Sequence, residues 1–213
     1  MDGNRPTYEE LKRRCERAEA LVETLRGGAA PVEGVEGHLQ GMHRAIRSVH
    51  RLIVQGGNPE QLIEEVCHRL TEEGIFMGAW FGYLGEGEQV LGRTVACGVQ
   101  GEGVLNGQAL PAAMASAGKG DSVLVVEDPS EECPSCPFVG LGVETVWIRR
   151  LAVRDRPFAF LAVAVPPALD RSGEAQELFS GVADDLASTL RRLEIEELLR
   201  VREVMLARTE AIA

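Results

Sequence analysis

The two cysteines of the segment Cys133-Pro134-Ser135-Cys136-Pro137 are the residues whose types and spacing most directly suggest chemistry. Two thiols separated by two residues can close a tight disulfide or supply two ligands to a metal ion. The two prolines limit the conformational freedom that either closure removes, and they exclude a β-strand here. Residues 129–141 are therefore predicted to be a loop that such a closure can tighten, or a stiff surface connection whose cysteines have no role.

Four carboxylates, those of Glu127, Asp128, Glu131 and Glu132, lie close to this pair in the sequence. Negative charge disfavours a thiolate, which argues against a thiol redox enzyme with a low-pKa cysteine. The same charges would attract a divalent cation. A metal site needs at least a third ligand, such as Cys97 or a histidine, so a disulfide or a free dithiol is the preferred interpretation.

A second candidate site comes from the strand-like runs 76–84 and 143–153. Because side chains alternate along a strand, Trp80 shares a face with two glycines, while Thr145, Trp147 and Arg149 share a face of the later run. If Trp80, Trp147 and Arg149 converge, they form two aromatic walls and one fixed cation, which suits a small planar or anionic ligand. The alternative is that Trp80 fills the core above small residues.

Composition narrows the class of protein. The chain has 213 residues, 45% of them hydrophobic, which is enough for one buried domain with appendages. Its net charge of −11 disfavours nucleic acid and acidic membrane surfaces as partners. No apolar run approaches the ~20 residues of a spanning helix, and an odd number of cysteines without framework spacing suits a reducing compartment. We therefore expect a soluble, cytoplasmic protein.

Helical periodicity is strongest near the N-terminus. One apolar seam in steps of three and four comprises Tyr8, Leu11, Cys15, Ala18, Val22 and Leu25. Its charged flanks favour pairing with a second copy over docking on the parent domain. After the glycine-rich residues 26–37, a second seam comprises Leu39, Met42, Ile46, Val49 and Ile53. With a long C-terminal helix, these seams predict a parallel homodimer.

The middle of the chain reads as a sheet. The predicted order is one hairpin, a short helical stretch, a single strand and a second hairpin, at residues 76–84, 89–97, 104–117, 122–127, 143–153 and 157–165. Asn58 and Pro59 are typical of a helix start, and Ser172 opens the last helix, which runs to the C-terminus. Beyond Leu193 the apolar spacing of that helix skips to Leu198, Val201 and Met205, so its phase changes there. The fold class is α+β.

Three pieces of this sequence resemble the GAF domains of bacterial signalling proteins, of the type found next to PAS domains in sensor kinases. They are AIRSVHRLIVQGGNPEQLIEEVCHRLTEEGIFMGAWFGYL, VVEDPSEECPSCPF and FAFLAVAVP followed by ELFSGVADDLASTLRRLE. The resemblance implies an antiparallel sheet of five to six strands, with terminal helices on one face and a small-molecule pocket on the other. It divides the chain into an N-terminal helix (1–26), a linker (27–37), the GAF domain (38–193) and a helical extension (194–213).

The resemblance implies a non-enzymatic sensory module that binds a small molecule and signals through a dimeric helix to a downstream domain or kinase. Relatives that reduce free methionine sulfoxide carry acidic residues where this chain has Ala162 and Ala164, and Cys67-His68 imitates a bilin-binding pair only by coincidence. A redox or metal sensor at Cys133 and Cys136, and a structural dimerisation module with a filled pocket, remain alternatives. The expected ligand-binding residues are Trp80, Trp147, Arg149, Thr145, Cys133, Cys136 and Phe138.

Overall fold

The computed structural model describes residues 34–85, 90–99, 107–116, 122–139, 141–153 and 156–210. The predicted N-terminal helix, residues 27–33 of the predicted linker and the tip of the first hairpin lie outside these residues. No helix among the described residues is long and apolar enough to cross a membrane.

Two helices form the first layer. Helix α1 spans Gly34–Gln55 and begins inside the segment predicted as a linker; helix α2 spans Pro59–Thr71. The side chain of Asn58 caps α2 by accepting a 2.8 Å hydrogen bond from the backbone N–H of Glu60, as the sequence predicts. A single tight turn, Glu72–Gly74, follows α2 and leads into the sheet.

The sheet has five antiparallel strands in the order β2-β1-β5-β4-β3. The strands are β1 Gly78–Leu84, β2 Leu91–Cys97, β3 Leu124–Glu127, β4 Thr145–Val153 and β5 Arg156–Val165. Their ends fall within two residues of the predicted ends, so the predicted α+β class and the predicted succession of strands along the chain are confirmed. Two short helices, α3 Ala112–Ser116 and α4 Pro129–Glu132, lie in the connections, and α5 Gly173–Glu210 ends the described chain. Of the predicted helical stretch 104–117, only the five residues of α3 are described as helix.

Both faces of the sheet are buried, and strand register decides which residues lie on which face. Trp80 pairs with Ala162, whereas Trp147 pairs with Val163, the next residue of β5. Directly paired residues share a face and consecutive residues do not. The two tryptophans therefore lie on opposite sides of the sheet.

The face covered by α1, α2 and α5 forms the helix-side core. Met42, Ile46 and Val49 of the second predicted seam are buried in it, as is Leu190 of α5. An apolar stripe on a helix needs one apolar partner, and the sheet of the same chain supplies it. The prediction that this seam pairs two copies is therefore wrong, and charges at Ile46 or Leu190 would unfold the domain before they separated a dimer.

Helices α1 and α5 run in the same direction across this face. His43 Nε2 lies 3.6 Å from Glu174 Oε1, and further along both helices His50 Nε2 lies 2.8 Å from Asp185 Oδ2. The start of α1 and the C-terminal end of α5 therefore lie at opposite ends of the domain. Residues 194–210 of α5, the α5 extension, continue beyond the end of α1.

Cys67 lies in the helix-side core with no exposed surface, and burial, followed by the neighbouring Cys97 and Glu64, raises the pKa of its thiol. The unfolded chain releases this proton above its thiol pKa of about 8.5, whereas the folded protein keeps the thiol protonated. Rising pH above this value therefore favours the unfolded state and lowers the stability. Between pH 8 and 9.5 we expect wild-type unfolding free energy to fall more steeply than that of Cys67→Ala, by up to about 1.4 kcal/mol per pH unit.

Urea unfolding at several pH values measures both slopes. The variant starts from a lower stability because it leaves a small cavity, so the slopes are compared and not the absolute values. Equal slopes in the two proteins would contradict the assignment.

Candidate ligand-binding site

The face opposite the helices is covered by connecting segments, and we call its buried residues the loop-side cluster. Its members come from all five strands, from α3 and from the connections that follow β2 and β3. They are Trp80, Leu91, Ala96, Val99, Met114, Val126, Cys133, Cys136, Phe138, Val143, Val146, Ile148, Phe160, Ala162 and Ala164. All fifteen are apolar or sulfur-containing, so this side of the sheet is a second hydrophobic core.

Trp80 is the largest side chain of the sheet on this side. Its indole lies across Gly82, and a Cβ atom at position 82 would overlap the ring. Trp80 pairs with Ala162 and Ala96 on its two neighbouring strands, so small residues flank it. Trp80 is 2% exposed, so the structure has the alternative that the sequence left open, a tryptophan that fills the core above small residues.

The connection from β3 to β4 forms part of the cover. Asp128 adopts a left-handed conformation with φ 51° and caps α4, its side chain accepting a hydrogen bond from Ser130 N at 3.2 Å. Cys133 and Cys136 follow and are joined by a disulfide, with their Cα atoms 5.3 Å apart. The segment is thus a loop with one turn of helix, in agreement with the exclusion of a strand.

This loop has two chemically different sides. Cys133 and Phe138 are 1% and 0% exposed and pack on the sheet, together with Cys136. The carboxylates predicted to crowd the thiols, those of Glu127, Asp128, Glu131 and Glu132, are on exposed residues. The disulfide is therefore an internal part of the cover, and the acidic residues face solvent.

One row of paired residues crosses four strands beside the Trp80 ring, and a polar side chain lies at each end of the row. Thr94 of β2 pairs with Gly82, Gly82 pairs with Phe160, and Phe160 pairs with Arg150 of β4. Thr94 is buried and Arg150 is half-buried. Since strands lie about 4.8 Å apart, Arg150 is two strands, roughly 10 Å, from the backbone beneath the Trp80 ring.

Arg150 is the functional candidate that the sequence analysis missed. The alternation of β4 already separated Arg150, with Val146 and Ile148, from Arg149. What the sequence lacked was the pairing of β1 and β4 with the same strand, β5, which decides which arginine shares a face with Trp80.

The expected convergence of Trp80 with Trp147 and Arg149 is wrong. Trp147 lies in the helix-side core, where its ring centroid is 6.1 Å from that of Phe76 and 6.1 Å from that of Phe179. Its Nε1 is buried and has no hydrogen-bond partner among the described residues. Trp147 thus packs under the terminal helices and forms no wall of the loop-side site.

Arg149 and Thr145 attach β4 to the segment that leads into and includes α5. Arg149, 2% exposed, donates from Nη2 to Asp184 Oδ1 at 2.6 Å and from Nε to Ser180 Oγ at 3.1 Å. Thr145 Oγ1 donates to Asp170 Oδ1 at 2.6 Å. These residues connect the sheet to the last helix, which makes them structural links and not loop-side ligand contacts.

The weaker expectation of a metal held by Cys133, Cys136 and Cys97 is also contradicted. Cys97 pairs with Ala79 and packs against the helix-side core, so the sheet separates it from the disulfide. Among the described residues, no group of three His, Cys, Asp or Glu side chains is arranged to hold a metal ion. Cys67 is likewise on the helix side, and the exposed His68 lies 3.5 Å from Glu72.

No family model and no curated protein matches the sequence. Solved structures do match the fold. The GAF domain of a phosphoenolpyruvate-protein phosphotransferase from Coxiella burnetii superposes with a TM-score of 0.60 at 14% identity, over 75% of this chain and 98% of that one. The GAF domain of a putative sensor histidine kinase from Pseudomonas syringae pv. tomato gives 0.52 at 20% identity, over 76% and 92%. The chain has the GAF fold.

One GAF-fold enzyme is also similar to this chain. Free methionine-R-sulfoxide reductase from Neisseria meningitidis, solved with its substrate, has a TM-score of 0.53 at 11% identity, over 70% of this chain and 88% of that one. In the present GAF fold Ala162 and Ala164 of β5 have no exposed surface and lie on the loop side with Trp80. These positions, where the enzymes were expected to carry acidic residues, supply no group for proton transfer.

The two tryptophans test the division between the faces. With Trp147→Phe only Trp80 fluoresces, and with Trp80→Phe only Trp147 does. We expect reduction of the disulfide to change the emission of Trp80 clearly, because both belong to the loop-side cluster, and to leave that of Trp147 nearly unchanged. The measurement is an emission spectrum with and without a phosphine reductant.

The Cys133→Ser/Cys136→Ser variant is the control, since its emission must not respond to the reductant. An equal response from both tryptophans would show that the faces are not separated as described.

Proposed function

We propose that this GAF domain is a non-enzymatic sensory module that binds a small molecule on the loop side of its sheet and signals through α5. The observation that carries the proposal is the difference between the two faces. Long helices cover one face, whereas loops and one-turn helices cover the other. Since loops open at lower free energy than packed helices, a ligand can enter on the loop side.

The chemistry of this side suggests the class of ligand. Trp80, 2% exposed, would present a flat aromatic surface once the cover moves, and Arg150 offers a positive charge in the adjoining row of the sheet. A small molecule with a planar or apolar body and an anionic group matches both. Because Phe138 and the disulfide pack against the sheet, binding would displace this part of the cover, and the loop would then move with occupancy.

Strand β4 provides a route to the last helix. Val146 and Ile148 belong to the loop-side cluster, while Thr145 and Arg149 on the other face hold Asp170 and Asp184. A displacement of β4 by a ligand must therefore change the position of groups bonded to it on the helix side. This is a contiguous physical link between the two sites, through which coupling can be carried.

The α5 extension is the proposed output. Ile195 and Leu199 are 45% and 53% exposed and lie one turn apart. We propose that they pair with the same residues of a second copy in a parallel homodimer, which would pass the change to a downstream signalling domain or kinase partner. A GAF domain from a sensor histidine kinase among the similar structures supports this context.

A redox sensor is the second candidate, and the buried disulfide favours it. Reduction would take two electrons and two protons from a cellular dithiol and leave two thiols inside an apolar cluster. The loop would then lose its covalent closure. The resulting change in loop order would alter ligand affinity or the position of α5, and this change would be the signal.

The ligand proposal is tested by native mass spectrometry of the protein purified from its host. We expect a retained small molecule, whose affinity Arg150→Gln weakens about tenfold or more by removing a charge-assisted hydrogen bond. Arg171→Gln, at an exposed position after β5, is the matched control and should bind normally. A protein that retains nothing and binds no metabolite from a host extract would point to a structural module.

The dimer proposal is tested by sedimentation velocity. Leu199→Glu places a charge in the apolar contact and should shift the dimer towards monomer, raising the dissociation constant about tenfold or more. Arg200→Glu adds the same carboxylate about 100° away around the helix and should leave the dimer intact. A wild-type chain that is monomeric at micromolar concentration would refute the proposal.

A further inference from the structure

Two cysteines among the described residues, Cys67 and Cys97, carry thiols that neither the proposed ligand site nor the proposed dimer contact uses. Cys67 belongs to α2 and has no exposed surface, whereas Cys97 is the last residue of β2 and is half-buried. Both pack in the helix-side core. Two thiols on neighbouring elements can be joined covalently when the elements place them side by side.

Helix α2 packs against β1 and β2, and it runs in the same direction as β2. The backbone N–H of Phe76 donates to the carbonyl oxygen of Leu70 at 3.2 Å, so the end of α2 lies at the start of β1. Strand β2 is antiparallel to β1, and Cys97 pairs with Ala79, close to that start. The C-terminal end of β2 therefore lies beside the C-terminal half of α2.

Ion pairs of Arg93 show which side of α2 faces β2. Arg93 of β2 contacts Glu60 through Nη1, and its Nη2 lies 3.6 Å from Glu64 Oε1. Cys67 follows Glu60 by nearly two full helical turns, so it lies on the same side of α2, about 10.5 Å further along the axis. Cys97 follows Arg93 on the same face of β2, about 13 Å further along the strand. The two thiols are therefore neighbours.

Solvent reaches this pair from one side, through a groove of about 800 Å³ between α2 and β2. Cys97 lines the groove, and Glu64 and His68, on either side of Cys67 in the sequence, form part of the opposite wall. A dissolved oxidant can therefore meet Cys97 first, while Cys67 lies behind the wall. Burial and then the neighbouring Cys97 raise the pKa of the Cys67 thiol, in agreement with this proximity.

We propose that Cys67 and Cys97 form a reversible disulfide that ties α2 to β2 when a low-molecular-mass disulfide oxidises them. The Cys97 sulfur attacks one sulfur of the oxidant, breaks its S–S bond and forms a mixed disulfide, and the departing thiolate takes up the Cys97 proton. The Cys67 sulfur then attacks the Cys97 sulfur and releases the second thiol, which takes up the Cys67 proton. Two protein thiols are thereby oxidised, and one oxidant molecule is reduced to two thiols.

The two steps differ in rate. Because the thiolate is the nucleophile and burial keeps Cys67 protonated, the second step is the slow one and requires a local opening of α2. The pair would therefore respond to sustained oxidation and not to a brief pulse.

Closure of this disulfide would also restrain the sheet. A disulfide holds its two Cα atoms about 5.5–6 Å apart, so it would fix the distance between α2 and the end of β2. Ala96, the residue before Cys97, belongs to the loop-side cluster and pairs with Trp80. Oxidation on the helix side would thus act on a strand that both faces share. The proposal requires no ligand and is separate from the redox role of the loop-side disulfide.

The test uses the full-length chain and oxidised glutathione. After incubation the protein is blocked with N-ethylmaleimide, the band of a single chain is taken from a non-reducing gel, and its digest is measured without reduction. We expect mass spectrometry to find peptides joined through Cys67 and Cys97, and dithiothreitol to separate them. In Cys67→Ala the reaction should stop at a mixed disulfide on Cys97, about tenfold or more abundant than in the wild type, because nothing resolves it. In Cys97→Ser, Cys67 should keep its thiol.

Amide hydrogen exchange measures the structural consequence. Oxidation should slow exchange in residues 62–71 and 91–97 about tenfold or more in the wild type and leave it unchanged in Cys97→Ser. Position 97 is half-buried, so this variant keeps the test valid even if Cys67→Ala does not fold. A mixed disulfide that persists on Cys97 in the wild type overturns the proposal, as does a Cys97 that does not react or that joins Cys15 instead.

Discussion

The register of β4 against β5 is the constraint on which the rest of this structure depends. Nine residue pairs align the two strands, and both strands are buried on both faces over most of their length. A shift of one residue would move every β4 side chain to the opposite face of the sheet. Arg150 would then lie under the helices in place of Arg149, which has Asp184 and Ser180 as partners there. Trp147 packs against Phe76 and Phe179 on the helix side, which helps to fix the register.

Arg149 shows how this constraint is used. A guanidinium with 2% exposure is tolerated because Asp184 and Ser180 of α5 satisfy it, and removing either partner would leave a buried charge poorly compensated. The same strand contributes Ile148 to the other face. The two faces of strand β4 therefore contact different parts of the molecule, the loop-side cluster on one side and α5 on the other.

The length of α5 has a further consequence. The helix is 38 residues long, about 57 Å, while α1 beside it covers only about 33 Å. The last turns of α5 therefore carry apolar residues that no described part of the chain covers. Most of the stability of a helix in a protein comes from packing, so the proposed pairing with a second copy would stabilise these turns.

The sequence by itself determined the elements: the alternation of 143–153, the capped start at Asn58, the proline-bounded loop and the long last helix are local patterns, and the structure has them. It also determined that Trp80 lies beside glycines and that residues 129–141 form a loop. Only the tertiary structure decided that Arg150, and not Arg149, shares a side with Trp80, and that Cys97 is separated from Cys133 and Cys136. The physical reason is that alternation fixes relative facing within one strand, whereas facing between strands depends on register, which long-range packing sets. The seam from Leu39 to Ile53 illustrates the same limit, since an apolar helix face specifies that it must be covered but not which surface covers it.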